Sequence, residues 1–445
     1  MALRRGTATA RLTHVNAIFE ASLHSWPNPR RDISVKGSAM LRSSFLRIAT
    51  VLLLSAASTC WGKPAPVASP ATSPNDTCLA CHGTSDAKDS AGKSIAVSAD
   101  AFAQSIHAQS GIACTSCHAD VSVDKLPHGE KLKPVACANC HDKQVKEYSA
   151  TVHGMARRGG NSVAATCTDC HGKHDIRPSK DPASRTNHAN LEATCSSCHG
   201  NAALVAQAKL PGGNIGSEFH DSIHGRALAG AAQSAAPTCT NCHGTHNILP
   251  VGEEASRVNR AHVPETCGTC HGAVLAKFNS GQHGKMRQAG NTAAPVCTDC
   301  HSAHEIQRHD SPKFQTAVIG QCGGCHADYL TTYRDTFHGQ VTALGYSQVA
   351  TCASCHGAHE ILPASNPAST VSAENRVKTC QTCHANASAK FVSWDPHASR
   401  EDKTRNPIYF YAAKFMEWLL IGVFAFFGLH TLFWFARLVI DKVRR

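Results

Sequence analysis

The reactive side chains of this sequence are concentrated in thiols and imidazoles: 23 of 445 residues are Cys and 29 are His. Twenty-two of the cysteines fall into Cys-x-x-Cys-His. Copies occur at Cys78/Cys81/His82, Cys114/Cys117/His118, Cys137/Cys140/His141, Cys167/Cys170/His171, Cys195/Cys198/His199 and Cys239/Cys242/His243. The rest are Cys267/Cys270/His271, Cys297/Cys300/His301, Cys322/Cys325/His326, Cys352/Cys355/His356 and Cys380/Cys383/His384. Two thiols three positions apart can form thioethers to the vinyl groups of a porphyrin, and the next imidazole can bind its iron. Zinc would pair one Cys-x-x-Cys with a second pair or with two His, and would not require His directly after each second Cys. Disulfides do not need that His at all. The pattern reads as c-type haem attachment, with eleven covalently held haems c.

Most of the other histidines recur at two positions. His174, His246, His304 and His359 follow a motif His by three residues. His107, His153, His224, His283 and His338 follow Phe102, Tyr148, Phe219, Phe278 and Tyr333 by five. Phe391/His397 reads as a sixth aromatic-linked copy with one residue inserted, and His128 as a distal His of a degenerate first unit. These make eleven candidate sixth ligands for eleven irons. A His and its follower three residues on cannot bind one iron, so the follower should serve a neighbouring haem. His188, His220, His262 and His309 stand outside the pattern and read as solvated.

Positioning these ligands takes a repeated unit of roughly 55–72 residues, a period that signals an array. Each unit is a helix leading to His-Gly, a loop, Cys-x-x-Cys-His-x-x-His, an extended Pro/Asn-rich link and a second Cys-x-x-Cys-His. Four units span 143–405, after an N-terminal three-haem region at 63–142. The segments HDKQVKEYSATVH and HADYLTTYRDTFH suit a helix, HGAVLAKFNSGQH less so. The expected fold is mostly loop with short α-helices, a haem-packed multihaem array, plus one C-terminal transmembrane helix.

The two ends read as targeting segments. Residues 40–62 have a basic start, an apolar stretch and small residues, as a signal peptide does. Residues 1–39 then read as an upstream extension. Cys60 lacks the small and branched neighbours of a lipidation site. Trp418 to Ala436 carries no formal charge and as a helix spans roughly 28 Å, about one hydrocarbon core. Residues 406–440 therefore read as a juxtamembrane segment and span, and 441–445 as a cytoplasmic tail. Arg437, Lys442, Arg444 and Arg445 place the C-terminus in the cytoplasm, and the array in the periplasm, anchored in the inner membrane.

A formal charge of +11 would ordinarily suggest nucleic acid. Residues 1–62 hold eight Lys/Arg and two Asp/Glu, so the remainder carries +5. Two propionates per haem would add about −22, making the holoprotein acidic; export and the repeated motif argue against nucleic acid as a partner. Only eleven aromatics lie between residues 63 and 405, as expected where porphyrins fill the interior.

The sequence resembles the multihaem c-type cytochromes of the cytochrome c3-like family over about residues 75–400. The resemblance rests on Cys-x-x-Cys-His-Gly-x-His with a following Ile-x-Pro, on the aromatic-linked His-Gly, and on Asn-x-x-x-Thr-Cys at Asn190–Cys195 and Asn375–Cys380. It implies a periplasmic electron carrier. The tail anchor implies a quinol-oxidising or cytochrome b partner in the membrane, with other periplasmic cytochromes or reductases as acceptors in anaerobic respiration. The string GLHTLFWFARLVIDKVRR resembles the first helix of small membrane cytochromes b, which would make His430 a ligand of a shared haem b. The alternative is a reductase of nitrite, hydroxylamine or a sulfur oxyanion. That chemistry needs an open iron, for which the haem of His82 is the candidate, since no repeat names its partner.

Overall fold

The chain divides into Met1–Ser69 and Pro70–Arg445. The structure, a computed structural model, describes residues 75–210 and 214–445, all in the second unit. The upstream extension, the signal segment, Cys60 and the turn at 211–213 lie outside the described residues. Among those described, helices are short and the only β pairing is an isolated bridge between Lys88 and Ser94. The fold is the helical, loop-rich array expected, ending in one long apolar helix.

Each twelve-residue segment before an aromatic-linked His was expected to be one helix. The structure breaks it in two. Asp142–Ser149 is followed by Val152–Arg158, Gly272–Ser280 by Gln282–Gln288, and Ala327–Asp335 by Phe337–Ala343. The break is a new N-cap two residues before the His. Ser222 Oγ accepts from Gly225 N at 3.0 Å and donates to Phe219 O at 2.6 Å. Thr151 and Thr336 repeat both bonds, and Ser105 caps the first unit. Ser105, Thr151, Ser222 and Thr336 are all buried. The Gly after the His lets the two helices close together. A Cβ on Gly154, Gly225, Gly284 or Gly339 would collide with the carbonyl oxygen of the linked aromatic.

The first motif of each repeat sits on a single helical turn, as at Cys167–His171, Cys239–His243, Cys297–His301 and Cys352–His356. The residue after its His leaves the turn at positive φ: Gly172 at 86°, Gly244 at 85° and Gly357 at 78°. Ser302 takes this place in the fourth unit, with φ 61° and ψ −179°, a conformation that essentially only glycine adopts without strain. Its hydroxyl is buried without a hydrogen-bond partner. Ser302→Gly is therefore expected to stabilise the holoprotein by about 1 kcal/mol, the strain relieved less the entropy glycine loses. Thermal denaturation followed in the visible spectrum measures it, and a lower midpoint would refute it.

The Asn-x-x-x-Thr-Cys element closes the extended link. Asn190 Nδ2 donates to the carbonyls of Pro182 and Ser184, and Thr194 Oγ1 to Arg185 O. Asn375 and Thr379 make the matching bonds to Pro367, Ser369 and Thr370. These bonds set the approach of the second motif of the unit.

Consecutive units are joined by one recurring backbone bond. The residue before the aromatic-linked His donates its N–H to the Ile of the next unit's Ile-x-Pro-type segment. The four bonds are Ile106 to Ile176 O, Val152 to Ile248 O, Ile223 to Ile306 O and Gln282 to Ile361 O, at 2.7–3.0 Å.

The C-terminal helix runs from Pro407 to Val443, starting ahead of the charge-free stretch at Trp418. At 37 residues it is about 56 Å long, against about 30 Å of bilayer hydrocarbon. It is long and apolar enough to cross a membrane, and its side chains are uncovered. A polar neck precedes it: Arg405 pairs with Asp395 at 2.7 Å, and Lys414 with Glu401 at 3.3 Å and Glu417 at 3.0 Å.

Candidate functional site

Every motif imidazole faces a second imidazole. The aromatic-linked His lies opposite the last motif of its own unit: His107 opposite His141, His153 opposite His199, His224 opposite His271, His283 opposite His326 and His338 opposite His384. The His three residues after a motif reaches back into the preceding unit. His174 faces His118, His246 faces His171, His304 faces His243 and His359 faces His301.

The two remaining pairs cap the array. The second motif is not followed by His-x-x-His; Val121 stands there, and His128 on a later loop faces His82, with the rings nearly parallel at 9°. At the other end His397 faces His356. The expectation that His397 is a sixth aromatic-linked copy is thus corrected. It stands where the following unit's His-x-x-His would reach back, because the chain turns into the neck instead of another unit. Phe391 packs against His384 with centroids 5.1 Å apart and the rings tilted by 45°, and does not place His397 against a last motif.

Ring centroids in these pairs are 5.9–6.2 Å apart. An imidazole bound to a metal at about 2.0 Å has its centroid roughly 3.1 Å from it, so one iron between two rings needs about 6.2 Å. The spacing fits haem iron. A bare ion fits poorly, because among the described residues no three His, Cys, Asp or Glu converge.

Outer hydrogen bonds leave one ring nitrogen for the metal. His82 Nδ1 is 3.1 Å from Ile95 O, His128 Nδ1 is 2.9 Å from Gly129 O, and His397 Nδ1 is 3.0 Å from Thr332 Oγ1. Burial holds His153, His224, His243 and His301, among others, below the ordinary imidazole value. Burial thus favours the neutral, coordinating form. His188 contacts Gln233 O at 3.1 Å and is not opposite any motif His.

The thioether-forming thiols link the motifs in sequence order by two alternating contacts. First cysteines of successive motifs lie close enough to perturb one another: Cys78 with Cys114, Cys137 with Cys167, Cys195 with Cys239, Cys267 with Cys297 and Cys322 with Cys352. The second cysteines make the other contact. Cys117 lies within electrostatic reach of Cys140, Cys170 of Cys198, Cys242 of Cys270, Cys300 of Cys325 and Cys355 of Cys383. Burial raises Cys300 to about 11, and the Cys352 thiol lowers Cys322 to about 7. No gap interrupts the series from Cys78 to Cys383.

The motif treats its two cysteines alike, but the structure does not. Every first cysteine, Cys380 included, is half-buried. Among the second cysteines, Cys81, Cys117, Cys140, Cys270, Cys325 and Cys383 are exposed, whereas Cys198 is half-buried. Cys198 and Cys270 each have a neighbouring hydroxyl near the sulfur, Ser197 Oγ at 3.9 Å and Thr269 Oγ1 at 4.0 Å. The protein alone therefore does not enclose these thiols. Their exposure suits attachment, because the porphyrin edge that reacts with such a thiol is then also what covers it.

The Ser/Thr caps were not legible as functional in the sequence, although Ser/Thr two residues before His was a visible signal. Ser222→Ala removes a buried cap and should cost about 1–2 kcal/mol. It should also loosen His224 opposite His271. A larger high-spin fraction on mild heating, read by electron paramagnetic resonance, is the expected sign; wild-type behaviour would refute the positioning role.

Residues 106–183 match the family described as cytochrome c3. No curated protein and no solved structure gave a match to the chain. The matched stretch is similar to the cytochrome c3 family and carries three of the Cys-x-x-Cys-His motifs that recur to His384, which supports a multihaem c-type cytochrome with covalently bound haem c.

Proposed function

We propose that the chain is a membrane-anchored periplasmic cytochrome with eleven bis-imidazole haems c. It carries electrons from a quinol-oxidising partner in the inner membrane to periplasmic or extracellular acceptors in anaerobic respiration. The pairing of all eleven motif imidazoles with second imidazoles, in one unbroken series of motifs, is the observation that supports this most. Haem c, when bound, supplies one-electron iron chemistry. The chain's own part would be to fix each haem through two thiols and to offer it two facing imidazoles, with successive motifs held close. If both facing imidazoles bound each iron, no position would remain for substrate, which weighs against the reductase alternative. His128 opposite His82 weighs against an open position at the haem where that alternative was strongest.

Arg437, Lys442, Arg444 and Arg445 favour a cytoplasmic C-terminus. His430, exposed on the apolar helix, is a candidate ligand for a haem b shared with the partner. The test uses native membranes holding the full-length protein, given duroquinol while the haem bands are recorded. Reduction abolished by deleting 407–445 supports the reading. Membranes in which dithionite but not duroquinol reduces the haems would overturn the quinol donor.

A further inference from the structure

The unit junctions define a protein interface that recurs four times and has a fifth, uncovered instance. At each inner junction the residue before the aromatic-linked His bonds to the next unit's Ile. In the last unit that residue is Phe337, and the chain continues into the neck and the apolar helix rather than a following unit.

The surface differs there in a way the inner junctions do not share. Among the described residues before the apolar helix, every exposed aromatic lies in the last unit: Tyr329, Phe337, Tyr346, Phe391 and Trp394. Phe337 is 74% exposed and Leu344 87%. They are seven residues apart along Phe337–Ala343 and its cap, hence on one face. Inner units carry Gly159, Gly230 and Ala289 at the position of Leu344. Aromatic anchors concentrated in one exposed patch are the composition of an interaction surface.

We propose that the last unit's face, centred on Phe337, Leu344 and Tyr346, is the docking surface for a membrane-embedded redox protein that donates to the iron held between His338 and His384. This rests on the electron-carrier reading above and adds where the donor binds. Two observations select a protein of the membrane over other occupants. The face includes Phe337, which stands at the position that bonds the next unit at each inner junction, and an uncovered apolar span begins at Pro407, only a short neck after His397. Phe337 is adjacent to His338, the ring opposite His384, so a docked donor reaches the terminal haem site first. With haem bound at His338 and His384, one electron would pass from the donor's centre, which is oxidised, to the haem, which is reduced, with no bond made or broken.

The test places benzoylphenylalanine at 344 and, as a control, at Val251, which is 67% exposed in an inner unit. The full-length holoprotein is irradiated in native membranes. In parallel, Leu344→Glu and Val251→Glu are compared for duroquinol-driven haem reduction. The expected result is an integral-membrane protein adduct at 344 and none at 251. Leu344→Glu should also slow reduction at least tenfold with an unchanged dithionite-reduced spectrum. An adduct of twice the chain's mass, a lipid adduct or no adduct overturns the surface, even if duroquinol reduces the haems. Equal rates in Leu344→Glu and wild type also overturn it. A 344 adduct in membranes that duroquinol cannot reduce upholds the surface and overturns the quinol donor instead.

Discussion

His359→Ala is expected to open one haem, and not the one attached beside it. His359 follows His356 by three residues but its ring lies 6.0 Å from that of His301, in the preceding unit. Removing it should leave the iron of His301 with one ligand. The reduced variant should bind one carbon monoxide per chain and the oxidised one should show a single high-spin centre. Paired substitutions then identify the haem. His359→Ala with His301→Ala should disturb one haem, because their facing rings would bind the same iron. His359→Ala with His356→Ala disturbs two. A count of one in the second pair would mean that His359 serves its own motif, and the interlocked pairing would be wrong.

The second large effect concerns folding. Among the described residues the buried hydrophobic side chains are few: Leu228, Val263, Val296, Ile319 and Tyr333, with three alanines. A chain of this length ordinarily buries far more apolar surface to offset the conformational entropy lost on folding. Paired rings about 6 Å apart across a porphyrin-sized gap cannot substitute for that core by themselves. The apo-chain, made without haem attachment, should therefore lack a cooperative thermal transition, as metal-dependent small domains do. Residues 75–406 should be cut rapidly in limited proteolysis, while the apolar helix survives in detergent. A cooperative transition with the array's full helix content in the apo-chain would contradict this.

Much of the site could be read from residue types and spacing, because attachment chemistry is local. Cys-x-x-Cys-His needs only five consecutive residues, and the distal positions recur at fixed offsets from a motif or an aromatic. Which ring meets which was not legible. His171 and His174 are three residues apart, so they must serve different irons, but nothing in their spacing says that His174 turns back to His118. That choice is made by the positive-φ exit at Gly172 and by the Ile176 carbonyl docking on Ile106 N. The same blindness explains His397. Its distance from Phe391 looks like the aromatic-linked pattern, whereas the neck, with Asp395 Oδ1 accepting from His397 N at 2.9 Å, delivers it to His356. The helix breaks were missed because propensity favours continuing through Tyr148 to His153, and the buried Thr151 cap overrides it.

The most direct test of the central claim is carbon monoxide added to the fully reduced full-length protein, with the Soret band recorded. Two imidazoles on every iron predict no change in the band and no high-spin signal in the oxidised protein. A carbon monoxide complex amounting to one haem in eleven or more would contradict it, since at least one of the paired rings would then not be a ligand.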